Sequence, residues 1–202
     1  MNFEAKQRDI SIRNGSKYQK SENDFYITPK IAIEDIIKKE LIHMDKNISI
    51  LDAGCGNGII TETLKEYGFK NVYTLDLIKR GYPLDYYGDI NNFHLDKQFD
   101  VVISNPPYGR GIINKFVKKC LDFSKNKTII FSRWQLLETH NRYNLLFDKN
   151  GFKLCWIYLY SNRVACVNPN NLQASKSMMN YAWFVWENGY NDIPKLNWID
   201  KA

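Results

Sequence analysis

The stretch Ile48-Ser49-Ile50-Leu51-Asp52-Ala53-Gly54-Cys55-Gly56-Asn57-Gly58 decides the fold. Ile48 to Leu51 is an apolar run of strand length, and three alternating glycines follow close behind. Beyond them Ile59, Ile60, Leu64 and Tyr67 recur at helical spacing until Gly68 stops the pattern. A strand, a glycine turn and a helix in this order let backbone approach a ligand closely at the helix N-terminus. The spacing Gly54-x-Gly56-x-Gly58 differs from the Gly-x-Gly-x-x-Gly pattern of dinucleotide sites. Asp52 also places a carboxylate beside the turn, which would repel a pyrophosphate and attract a cationic group.

The same alternation extends in both directions. Upstream, Thr28 can cap a helix with Pro29 at its first position, and Ile33, Ile36, Ile37 and Leu41 mark that helix's apolar face. Downstream, Asn71 to Leu75 reads as a strand ending at Asp76, where a carboxylate can accept hydrogen bonds from a ribose. A cationic adenosyl ligand without phosphates, such as S-adenosylmethionine, fits both Asp52 and Asp76. The segment from Lys79 to Asp89 reads as a loop. Phe99 to Ser104 and Thr128 to Phe131 are strands, Ile112 to Phe123 and Trp134 to Phe147 helices, and Phe152 to Tyr160 and Tyr181 to Trp186 aromatic-rich strands. Strands separated by helices indicate an open, mainly parallel sheet covered on both faces. The last two strands have only a polar stretch between them and should be antiparallel neighbours.

The 202 residues, 44% hydrophobic and 25% charged, suit one globular domain. Residues 1–22 read as a polar, frayed segment or a basic arm, and 23–202 as the catalytic domain. Net charge is +6, unevenly spread: 14 basic against 16 acidic residues through Val101, then 14 against 6 from Val102. No apolar run suits a membrane-spanning helix or a secretory signal, so a cytoplasmic protein is expected. Four scattered cysteines and three histidines share no ligand spacing, which gives no support to a metal site.

Asn105-Pro106-Pro107-Tyr108 follows the strand Phe99 to Ser104, at the sheet edge where ligands bind. The prolines fix φ and remove two donors, Asn105 offers an amide oxygen, and Tyr108 a flat ring. This set can accept hydrogen bonds from an exocyclic amino group and stack on its ring, so that the nitrogen lone pair faces an electrophilic methyl.

With these motifs in place, the chain resembles class I S-adenosylmethionine-dependent methyltransferases of the Asn-Pro-Pro-Tyr group, and within it small phage- and prophage-type adenine-N6 DNA methyltransferases. The resemblance runs from Asp24 to Trp186. It implies a Rossmann-like α/β fold, a seven-stranded sheet with helices on both faces and an antiparallel C-terminal strand. It places Asp52, Gly54, Gly56 and Gly58 along the methionine end of the cofactor, Asp76 at the ribose and Asp89 at the adenine. Tyr26, Thr28 and Pro29, in a Tyr-x-Thr-Pro element, would border the methionine moiety, and Asn105 the cofactor as well as the substrate.

The same tetrapeptide occurs in enzymes that methylate adenine N6, guanine N2 or glutamine amides. RNA base methylation and a non-catalytic nucleic-acid-binding subunit therefore stand as alternatives. Glutamine methylation falls behind, because too few residues precede Ile48 for the helical domain those enzymes carry. Arg110, Arg133, Arg142, Arg163 and Lys176 are the candidates for a phosphate backbone, although Arg142 and Arg163 could pair internally. DNA is expected more than RNA. A separate specificity subunit or a homodimer would supply recognition that the short C-terminal half lacks room for. Trp183 and Trp186 read as core residues.

Overall fold

A computed structural model describes residues 25–95, 97–109, 111–140, 142–143, 152–162, 164, 166–167 and 180–200. Its centre is a sheet of strands β1 (Ser49–Ala53), β2 (Asn71–Asp76), β3 (Tyr86–Tyr87), β4 (Phe99–Ser104), β5 (Ser124–Arg133), β6 (Phe152–Tyr160), β7 (Tyr181–Asn188) and β8 (Lys195–Ile199). They lie in the order β3-β2-β1-β4-β5-β7-β6-β8. Strands β3 to β5 run parallel, whereas β7 is antiparallel to both β5 and β6.

The sheet thus has eight strands where seven were expected. The two-residue β3 lies in the segment expected as a loop, and β8 pairs parallel to β6 at the far edge. Both are short edge strands whose pairing, more than their own pattern, makes them extended.

Helices cover both faces. On one face, α1 (Lys30–Ile36) with its continuing π turn Ile37–Leu41, and α2 (Ile59–Glu66), bury Ile33, Ile36, Leu41, Ile60 and Leu64. On the other, α3 (Ile112–Phe123) buries Ile113, Phe116, Val117 and Cys120 at helical spacing. The aromatic strand β7 shows the alternation that serves two faces: Tyr181, Trp183 and Val185 enter the first core, Ala182, Phe184 and Trp186 the second. Trp183 and Trp186 are both fully buried core residues, as expected.

Two local expectations change. The first helix begins at Lys30 with Pro29 as its cap residue and no side-chain cap, and Thr28 is engaged elsewhere. The Pro29 carbonyl itself receives the Ala32 and Ile33 N–H groups. Trp134 to Phe147 is not one helix from its start: Trp134–Leu137 is a single 3-10 turn, and residues 144–151 lie outside the described residues. The Glu138 N–H closes that turn on the Gln135 carbonyl, which also accepts from the Arg142 guanidinium.

Among the described residues no helix is long and apolar enough to cross a membrane, and no cluster of potential metal ligands occurs.

Trp183 carries more than apolar area, because its Nε1–H donates to both the Ala32 carbonyl (3.0 Å) and the Tyr160 hydroxyl (3.0 Å). It thereby joins α1 to the sheet. Replacing Trp183 with Ala should lower unfolding free energy by about 3–5 kcal/mol in urea titration, whereas Trp198→Ala, exposed on β8, should change it by less than about 0.5 kcal/mol.

Candidate active site

Strand order reverses between β1 and β4, so their carboxyl ends part and open a crevice. A cavity of about 490 Å3 fills it, within the range of cofactor-sized sites. Its floor is the glycine turn, where Gly54, Gly56 and Gly58 all have positive φ (70°, 60° and 79°). Gly54 lines the cavity, and the Gly54 and Cys55 N–H groups bond to the Leu75 carbonyl at 2.7 and 3.2 Å. The turn is therefore pinned to the end of β2.

Gly56 and Gly58 do not line the cavity. A Cβ on Gly56 would stand 2.3 Å from the Phe25 ring, and one on Gly58 2.4 Å from the Tyr82 ring. These two glycines admit aromatic covers over the turn, a packing demand that adds to the backbone one.

Asp76 stands at the cavity with little exposure. Its Oδ2 accepts from the Gly56 N–H at 2.8 Å and its Oδ1 from the Ile78 N–H at 2.8 Å. One carboxylate thus fixes the glycine turn and the segment after β2, while lone pairs remain for a ligand. Asp89 also lines the cavity, and its Oδ1 accepts from the Asn91 N–H at 2.9 Å, capping the 3-10 turn Ile90–Asn92. Ile78, Ile90, Leu77 and Phe116 supply apolar wall.

Asp52 departs from its expected place. It is fully buried beneath the turn and absent from the cavity wall. Its Oδ2 accepts from the Thr61 N–H (3.1 Å) and hydroxyl (2.7 Å), tying β1 to the first turn of α2. Its Oδ1 has no partner. Burial, with Asp76 nearby, pushes its carboxyl up to about 7. A carboxylate at the strand's end points to one of its two faces, and here the chosen face is the one covered by α2.

The Tyr-x-Thr-Pro and Asn-Pro-Pro-Tyr motifs meet. The Asn105 Nδ2 donates to the Thr28 hydroxyl at 2.8 Å and to the Tyr26 carbonyl at 3.2 Å. Its Oδ1 accepts from the Tyr108 hydroxyl. Tyr26, Thr28, Asn105 and Pro107 line the cavity, whereas Pro29, the buried Pro106 and Tyr108 do not.

Tyr108 sits against Tyr26 and Tyr181, with ring centroids 6.2 and 5.8 Å away, and the Arg133 guanidinium carbon lies 4.9 Å from its ring centroid. The ring expected to be an open stacking face is thus covered. Burial raises its hydroxyl well above the usual tyrosine range and pushes the neighbouring Cys166 thiol up to about 12.

Arg133 and Arg142 border a separate hollow beside Tyr108. Arg142 is engaged internally, its Nε donating to Asn114 Oδ1 at 3.1 Å. Arg110, Arg163 and Lys176 lie outside the described residues.

Sequence reasoning missed Phe25, Arg80 and Cys166. Phe25 adjoins the Tyr-x-Thr-Pro element and was within reach of it. Arg80 stacks on Phe25, its guanidinium carbon 4.4 Å from the ring centroid, and lines the cavity. No local pattern signals that contact, nor the approach of Cys166, which is held by the antiparallel bridge between Ile27 and Val167.

No protein-family model and no curated protein matches the sequence. Solved structures do resemble its fold. A Listeria monocytogenes protein assigned to the class I S-adenosylmethionine-dependent methyltransferases aligns with a TM-score of 0.63 at 17% identity, over 94% of this chain and 68% of its own. A Pyrococcus horikoshii protein assigned as an RNA methyltransferase aligns with a TM-score of 0.64 at 16% identity, over 91% and 96%. Magnesium protoporphyrin IX methyltransferase from Synechocystis PCC 6803, with S-adenosylmethionine bound, gives 0.57 at 13% identity over 79% of each chain.

Asp52 makes stability depend on pH in a direction opposite to that of a paired carboxylate. The folded chain keeps its proton up to about pH 7, whereas an unfolded Asp releases it near its ordinary 3.8. Between these values the folded state binds more protons, so stability falls as pH rises. Urea midpoints measured from pH 4 to 8 should decline for the wild type and decline less for Asp52→Asn.

An eight-stranded, mainly parallel sheet with its reversal at β1 and β4, aligned over nine-tenths of its length with such proteins, gives this chain the fold of the class I S-adenosylmethionine-dependent methyltransferases.

Proposed function

We propose that this chain transfers a methyl group from S-adenosylmethionine to the exocyclic N6 amino group of adenine in DNA. The cavity fits the cofactor by its own features. Gly54 leaves space where a Cβ would stand 3.2 Å from the Phe116 ring, Ile78 and Ile90 offer apolar walls to a purine, and Asp76 and Asp89 offer acceptors to hydroxyl and amino hydrogens. The cofactor, when bound, supplies an electrophilic methyl carried on a sulfonium.

The orientation of the Asn105 amide carries the reading. Its nitrogen faces a carbonyl and a hydroxyl, Tyr26 O and Thr28 Oγ1, so its oxygen is turned towards Tyr108. An amide held in this way presents only its oxygen, which accepts from the Tyr108 hydroxyl and keeps a second lone pair for an incoming amino hydrogen. By taking an N–H hydrogen bond, Asn105 draws the nitrogen lone pair out of conjugation and holds it in line with the methyl. No strong base is required, because alkylation itself makes the nitrogen's proton acidic. Cys166 and Tyr108 both keep their protons at neutral pH, since burial raises their pKa values, and neither serves as that base.

Adenine is favoured because the Tyr-x-Thr-Pro and Asn-Pro-Pro-Tyr elements occur in the order found in adenine-N6 DNA enzymes and touch through Asn105. A duplex base would be extruded to reach this pocket. RNA is the second reading, and the Pyrococcus horikoshii protein of similar fold is assigned to that class.

Labelled methyl transfer to DNA, RNA and protein pools, with nucleoside analysis of the product, tests the choice. N6-methyldeoxyadenosine is expected, and methylated RNA bases with no DNA product would overturn it. Asn105→Ala should cut transfer by about 100-fold or more, a loss well beyond the fall in cofactor affinity measured by calorimetry. Asp76→Ala should instead weaken cofactor binding by about tenfold or more.

A further inference from the structure

A second cavity, of about 280 Å3, lies behind Tyr108, at the carboxyl end of β5. Tyr108 forms one wall, and Ile113 and Leu136 are apolar sides. Arg142 braces the rim through its bonds to Gln135 O and Asn114 Oδ1.

Two neighbouring side chains on this wall are unfinished. Ser132 is 1% exposed and its hydroxyl has no partner. The Arg133 Nε is buried without a partner, while the guanidinium covers the Tyr108 ring. A buried polar atom left unsatisfied costs about 1–3 kcal/mol. The two are consecutive residues at the end of β5, Ser132 on the Ala182 side of the sheet and Arg133 on the Tyr181 side, and both border the cavity beside Tyr108. They mark a place where a ligand lying over the strand's end completes the bonding.

The chemistry of these groups is selective. Arg133 Nε–H can only donate, and Ser132 can donate or accept. An aromatic ring facing a guanidinium plane suits a flat, conjugated group. A purine offers ring-nitrogen acceptors as well as the amino group that Asn105 would take. A glutamine amide has one acceptor and no ring to stack.

We infer that Ser132 and Arg133 hold the ring of the methyl-accepting adenine. This rests on the proposed amino-methyltransferase reading and deepens it. The base enters between Tyr108 and Arg133, whose guanidinium gives up its cover of the tyrosine for the outer face of the base. Ser132 Oγ and Arg133 Nε–H then bond the ring nitrogens. Arg133 thus supplies a second stacking surface opposite Tyr108. Its role is ring recognition, in place of the phosphate contact expected of it.

Two single-stranded probes separate these roles, since a 12-residue oligodeoxyadenylate and an oligothymidylate of equal length carry the same phosphates. The full chain, loaded with S-adenosylhomocysteine, should bind the adenylate about tenfold or more tightly than the thymidylate. Ser132→Ala should reduce that ratio by roughly threefold to tenfold, and Arg133→Ala should reduce it at least as far. Arg133→Lys should not restore it, because an ammonium keeps the charge and loses the plane. Cofactor affinity in the range of the wild type shows that the variants are folded. Equal wild-type affinity for both probes, a parallel loss for both, or rescue by lysine would overturn the assignment. Failure of the functional reading looks different: the adenylate preference and its loss in the variants would stand, but no N6-methyldeoxyadenosine would form in DNA.

Discussion

The hydrogen bonds from the Asn105 amide to Thr28 Oγ1 and the Tyr26 carbonyl set the shape of the site. They join segments that lie on opposite sides of the glycine turn in sequence and bring both to the crevice between β1 and β4. With the Asn105 nitrogen committed, its oxygen can only serve as an acceptor on the other side. The Ile27–Val167 bridge secures the same strap from the C-terminal half, with N–H to carbonyl distances of 2.9 and 3.0 Å. A ligand in the larger cavity and one beside Tyr108 would therefore share a single wall.

The carboxylates divide their work by burial. Asp76 and Asp89 keep one side towards the cavity and use backbone N–H groups to hold their orientation. Asp52 turns its carboxyl inward to Thr61, where desolvation favours its neutral form. The acidic balance of the N-terminal half thus overstates the negative charge presented to a ligand. Arg80, whose Nε is buried without a partner on the same wall, shifts that balance further.

Much of the fold was legible because it follows from local periodicity. The helix Ile112–Phe123 matches its apolar spacing to the residue, and β7 shows its two-faced burial in the alternation of Tyr181 to Trp186. The misses have a common cause. Thr28 satisfies every local rule for a helix cap, but a side chain 77 positions away, that of Asn105, competes for its hydroxyl. β3 and β8 are strands because a neighbour pairs with them, and two or five residues carry too little pattern to announce it.

The sequence by itself determined the alternating architecture, the glycine turn after β1, the position of Asn105-Pro106-Pro107-Tyr108 at a strand's carboxyl end, and the core placement of Trp183 and Trp186. These depend on hydrophobic period and on residues with restricted or permissive backbones, both properties of short segments. Only the tertiary structure decided that Asp52 faces α2, that Phe25 and Tyr82 cover two of the three glycines, and that Ser132 and Arg133 share a cavity with Tyr108. Each of those is a contact between distant segments, set by which face of a strand end meets which neighbour once the sheet has assembled.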